Sequence, residues 1–68
     1  MNNYIYKGSG KIVKAFQPPF TIEIKDTLTG GYKVASPKDW IVRDAVGPYV
    51  VDTEHFEKYY QKVEINDL

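Results

Sequence analysis

The sequence predicts an α+β domain that is mainly β: a small antiparallel sheet or open barrel of four to six short strands, with one short C-terminal helix. Three observations lead there. Phe20-Thr21-Ile22-Glu23-Ile24-Lys25 alternates apolar and polar residues, the period of a half-buried strand. β-capable runs are punctuated by Gly8-Ser9-Gly10, Gln17-Pro18-Pro19, Gly30-Gly31 and Gly47-Pro48, which are turn formers. Near the C-terminus, Phe56 and Tyr60 stand four apart behind acidic capping residues, the mark of a short helix with one apolar face.

The elements follow in order. Tyr4-Ile5-Tyr6-Lys7 reads as a short first strand, ended by Gly8-Ser9-Gly10. Lys11 to Phe16 is a second β-capable run, stopped by prolines that cannot donate to a ladder. The alternating run from Phe20 to Lys25 reverses through Asp26-Thr27-Leu28-Thr29-Gly30-Gly31, whose glycines can supply positive φ, and returns as Tyr32-Lys33-Val34-Ala35. Ser36-Pro37-Lys38 turns the chain into Asp39 to Arg43. Gly47-Pro48 turns it again into Tyr49-Val50-Val51. Asp52 or Thr53 can cap the helix, with Glu54 facing the positive end of its dipole. Two turns of helix cannot stand alone and must dock on the sheet. Val63 and Ile65 alternate with polar neighbours and suggest a last edge strand, before a fraying Asn66-Asp67-Leu68.

Sixty-eight residues make a single small domain, 1–68. A chain this short buries only about 60% of its unfolded surface. With no cysteine to staple it, the core must come from six Tyr, three Phe and Trp40. The expected core is Ile12, Phe20, Ile22, Ile24, Val34, Trp40, Val42, Val50, Phe56 and Tyr60. Trp40, flanked by Ile41 and Val42 on a strand, is placed in the core, with an interface anchor as the alternative. The polar start reads as a native N-terminus. The lack of cysteine and of long apolar runs leads us to expect a cytoplasmic chain with no membrane partner.

The chemistry of catalysis is thin. There is one His, and His55 has no Ser or Cys beside it to activate. Asp52, Glu54 and His55 match no zinc or calcium spacing and read as helix-capping acids plus a surface His. Gly8-Ser9-Gly10-Lys11 lacks the second half of a phosphate-binding loop and runs into a strand. We therefore expect no enzyme, no metal and no cofactor.

Charge is balanced overall but uneven. Residues 1–38 carry six Lys against Glu23 and Asp26; residues 39–68 carry three basic residues against seven acids. One consequence is attraction between the two halves of the sheet. Another is a basic surface in which Lys7, Lys11 and Lys14 interleave with Tyr4, Tyr6 and Phe16, as in small barrels that hold single strands. Tyrosines such as Tyr4, Tyr32 and Tyr59 suit protein recognition instead, since they give contact area at low entropy cost.

Pro37, Asp39, Trp40, Ile41, Val42, Gly47, Tyr49, Val50, Val51, Phe56 and Tyr60 form an ordered set of motifs. It resembles a family of small proteins encoded by bacteriophages and prophages, which carry a Pro-Gly-Asp-(Trp/Tyr) turn (PGDYG-like) entering a hydrophobic strand. A glycine turn, an aromatic-rich strand and Phe-x-x-x-Tyr follow. Upstream, Ile12-Val13-Lys14-Ala15-Phe16-Gln17 is similar to the same proteins' first strand, so the likeness covers most of residues 11–64. Lys38 stands where the family has glycine, which favours a type I turn over type II, and the hairpin at Gly47 is about one residue shorter. The resemblance implies a fold and a phage or prophage setting inside a bacterial host, but no activity. The expected function is a non-enzymatic binding module engaging a host or phage protein. The alternative is nucleic-acid or nucleotide binding through the Lys-rich N-terminal strands.

Overall fold

The structure, a computed structural model, describes residues 2–63. Its elements are β1 (Asn2–Tyr6), β2 (Ile12–Phe16), β3 (Ile22–Lys25), β4 (Tyr32–Ala35), β5 (Trp40–Arg43), β6 (Pro48–Val51), α1 (Thr53–Tyr59) and β7 (Tyr60–Lys62). Five strands form an open sheet in the order β6-β5-β2-β1-β7, and β3 and β4 form a small second sheet. Every pairing is antiparallel. The expected mainly-β class with one short helix is found.

Seven strands form, one more than the expected four to six, and the last follows the helix directly. Tyr60 is already extended (φ −122°, ψ 144°), and its N–H still closes the last helical bond to the Phe56 carbonyl. The edge strand expected at Val63 thus begins three residues earlier. Val63 donates to the Asn3 carbonyl at 2.9 Å, and Ile65 to Leu68 lie outside the described residues. Asp52 is the N-cap, accepting the His55 N–H at 2.7 Å.

The sheet curls without closing into a barrel. Tyr49 on edge strand β6 and Tyr60 on edge strand β7 meet through their hydroxyls at 2.9 Å on the helix side. The β6 edge is not left bare. Thr27 donates to the Pro48 carbonyl at 2.9 Å, and Asp26 takes the Val50 N–H at 2.9 Å, so the β3–β4 loop covers it.

The main core lies between this sheet and α1: Tyr4, Val13, Ala15, Val42, Tyr49, Val51, Phe56 and Tyr60. Phe56 is sandwiched, parallel to Trp40 at 3.9 Å and to Tyr60 at 4.7 Å, with the Tyr4 edge against it at 4.9 Å. Such ring pairs stabilise beyond the area they bury. Trp40 is half-buried and packs on this cluster, as expected of a core residue.

Several expected core residues lie elsewhere, each for a physical reason. Ile12 is exposed because β2 presents the small Val13 and Ala15 inward, leaving room for the large rings. Phe20 is exposed because the proline loop delays the ladder until Ile22. Val34 is exposed because it pairs with Glu23 on the solvent side, while the next residue, Ala35, pairs with Ile22 and is buried. Ile22, Ile24 and Val50 are half-buried, outside the main cluster.

Candidate functional site

The β2–β5 ladder starts at Lys14 opposite Arg43, so the first part of β2 has no β5 partner. Beyond Arg43 the strand ends and the chain bends at Ala45 and Val46. The sheet is therefore notched between the β1–β2 turn and the β5–β6 turn. A cleft of about 660 Å³ occupies the notch, a size suited to a bound group. Buried Val13, Tyr49, Val51 and Tyr60 form its floor; Tyr6, Lys11, Asp44 and His55 add polar groups.

Three large aliphatic residues stand at its rim: Ile12, Leu28 and Val46, exposed to 64%, 71% and 78%. Two are held in place by an aspartate two residues earlier. Asp26 accepts the Leu28 N–H at 2.9 Å, and Asp44 accepts the Val46 N–H at 2.8 Å and the Gly47 N–H at 3.2 Å. Both are Asx-type turns, in which the side chain substitutes for a backbone acceptor. Gly47 closes the second turn with φ +138°, and a Cβ there would lie 2.8 Å from Thr27 Cγ2. Only glycine allows that approach.

Asp26 fixes the other side. Its carboxylate is fully buried and also takes the Thr29 N–H at 3.1 Å, with Lys33 Nζ at 3.9 Å. Burial by itself raises its pKa, but the N–H groups of Val50, Thr29 and Leu28, together with Lys33, outweigh it and hold the carboxyl below its ordinary value. Gly30, at φ +78°, completes the reversal by donating to the Asp26 carbonyl. At the floor, burial pushes the hydroxyls of Tyr49 and Tyr60 above the ordinary tyrosine value, Tyr49 the further.

The residues expected to form a binding surface do not converge. Lys11 lies just before β2 and Lys14 within it, an odd number of residues apart, and they fall on opposite faces. Lys11 reaches the cleft, opposite Tyr6; Lys14 lies across the sheet beside Asn3 and Arg43. Lys7 extends the β1 ladder and falls on the Lys14 side. Tyr4, expected as an exposed recognition residue, is instead buried in the core against Trp40 and Phe56. Tyr32 is exposed on the β3–β4 hairpin, whereas Tyr59 is half-buried beside His55. The ion pair found among the described residues joins Lys33 to Asp26, both in the N-terminal half, so the expected attraction between halves is not what it expresses.

Gly8-Ser9-Gly10 forms a tight turn in which Ser9 and Gly10 donate to the Tyr6 carbonyl, with no helix behind it. Among the described residues no three His, Cys, Asp or Glu side chains are grouped as metal ligands, and no helix is long and apolar enough to cross a membrane. Leu28, Val46 and Asp44 escaped the sequence reading. Their signal was nonetheless present: a Leu and a Val inside Asp/Thr/Gly-rich turns, where an aliphatic side chain has no core to enter. No protein family, curated protein or solved structure matches the chain.

Proposed function

We propose that the domain is a non-enzymatic binding module that engages a partner protein through the notch cleft. The observation that carries this reading is the trio of Ile12, Leu28 and Val46. Single exposed aliphatics are ordinary, but three around one cleft make an apolar rim suited to recognition. Because Asp26 and Asp44 hold the main chain at two of them, less backbone entropy remains to be lost on binding. The resemblance to phage- and prophage-encoded proteins makes a host or phage protein in the bacterial cytoplasm the partner to seek.

A second reading, nucleic-acid binding, draws on Lys14 and Arg43, which stand directly opposite each other on the exposed sheet face. Like charges so placed repel unless an anion lies between them. The test is capture from a bacterial lysate treated with nuclease, using the parent chain, Leu28→Asp, Val46→Asp and a Lys14→Glu/Arg43→Glu double variant. The protein reading expects a captured protein that survives nuclease, is lost in either cleft variant and is retained by the double variant. The reverse pattern would favour nucleic acid.

A further inference from the structure

The register identifies which main-chain groups face the notch. Tyr6 N–H donates to the Lys11 carbonyl at 2.9 Å, so Tyr6 and Lys11 are a hydrogen-bonded pair of the β1–β2 ladder. In an antiparallel ladder such pairs alternate with non-bonded ones. Ile5 and Ile12, next in register, are therefore a non-bonded pair, and the N–H and C=O of Ile12 point away from β1. On that side Lys14 and Phe16 meet β5, opposite Arg43 and Ile41. Ile12 would meet the next such position, but β5 has already ended at Arg43 and the chain bends at Ala45 and Val46. Among the described residues the β2–β5 register stops at Lys14, and no residue outside the strands bonds the Ile12 main chain. The notch thus combines an unused edge of sheet with an apolar rim.

We propose that the cleft takes an extended, apolar peptide segment that adds to β2 opposite Ile12, continuing the ladder where β5 leaves it. This rests on the reading of the cleft as a protein-binding site and names what enters it. Main-chain bonds to an open strand supply affinity, and pockets for alternate side chains supply selectivity. The peptide residue facing Ile12 shares the Ile12 face. Its two neighbours point to the other side, over Val13 and the Tyr49–Tyr60 pair. Lys11 and Asp44 oppose each other in charge at the rim, which suits a segment with little net charge.

The probe is a displayed library of random linear peptides, selected on the full chain and followed by amide NMR. A selected peptide is expected to slow hydrogen exchange at the Ile12 amide and to bind roughly tenfold or more weakly when N-methylated at the residue facing Ile12. Leu28→Ser and Val46→Ser, both at exposed positions, should weaken it, whereas Val34→Ser on the far hairpin face should not. Peptides that shift Leu28 and Val46 signals but leave Ile12 exchange unchanged and tolerate N-methylation would overturn strand addition while leaving the cleft as a protein site. No enriched peptide, or peptides that bind at Tyr32 and Val34, would also overturn it. In that event a nuclease-resistant partner that still depends on Val46 would point to a folded protein surface. Saturable binding of single-stranded DNA or RNA in the cleft would overturn both readings.

Discussion

The Tyr49 and Tyr60 hydroxyls meet at 2.9 Å although their strands form opposite edges of a five-stranded sheet. This contact holds the curl that a flat sheet would lack, and it floors the notch. A single Tyr49→Phe or Tyr60→Phe change leaves one buried hydroxyl without its partner, which should cost about 1–3 kcal/mol. The double Phe variant should cost less than the sum of the two, because no orphaned hydroxyl remains. Urea denaturation of all three variants measures this coupling. Fully additive losses would mean that the hydroxyls do not interact.

The same pair sets an alkaline limit. Both folded pKa values lie above the unfolded tyrosine value of about 10. Above that pH the unfolded chain releases these protons while the folded chain keeps them, so stability falls as pH rises. Below pH ~10 their contribution is constant. Urea midpoints taken from neutral to strongly alkaline pH should decline only beyond that point, and less steeply in the double Phe variant.

Asp26 governs the acid side. Its folded pKa is below the ordinary carboxyl value of 3.8, so its contribution is complete above that pH and is lost as pH falls through the folded value. Asp26→Ala would leave the N–H groups of Val50, Leu28 and Thr29 without an acceptor, and should destabilise by at least about 3 kcal/mol. Asp26→Asn should fall between the variant and the parent. Thermal melts of the three should converge only at strongly acidic pH, below about 3.8, where Asp26 becomes protonated.

The turn before β5 separates two neighbours. Asp39 accepts the Ser36 N–H at 2.9 Å and the Ser36 hydroxyl at 3.2 Å, so Asp39→Ala should cost about 1 kcal/mol. Lys38 is exposed with negative φ, and Lys38→Gly should keep the fold with a smaller loss. Equal melting temperatures for both variants would contradict this assignment.

How much of this was legible in the sequence depended on whether the signal was local. The turns at Gly8-Ser9-Gly10, Gly30 and Gly47, the Asp52 cap and the Asp39 turn are fixed by nearby residues, and they stand as expected. Which face of a strand is buried is not local. Ile12 and Val13 compete for the inside of β2, and Val13 is there because Tyr4, Trp40 and Phe56 from other elements already fill the space. The same tertiary packing takes Tyr4 from the surface into the core. The cleft was the least legible part, since it arises where one ladder outruns another. No window of residues records that β5 ends two positions before it would reach Ile12.

Phe56 tests the packing most simply. Phe56→Ala removes the ring between Trp40 and Tyr60 and should cost about 3–5 kcal/mol, close to the whole stability of so small a domain. Trp40→Ala should cost less than Phe56→Ala, because Trp40 is only half-buried. A far-ultraviolet melt that leaves Phe56→Ala within a few degrees of the parent would contradict this core.

The most direct test of protein recognition through the notch is the salt dependence of affinity for the captured partner, measured on the parent, on Val46→Asp and on a Lys7→Glu/Lys14→Glu variant, both lysines lying on the face away from the cleft. Apolar recognition changes little between low and physiological salt, whereas counterion release makes nucleic-acid affinity fall steeply. Recognition through the notch predicts a nearly flat salt response, loss of binding in Val46→Asp and substantial retention in the lysine variant. A steep fall with salt, abolished by the lysine reversals and indifferent to Val46, would contradict it.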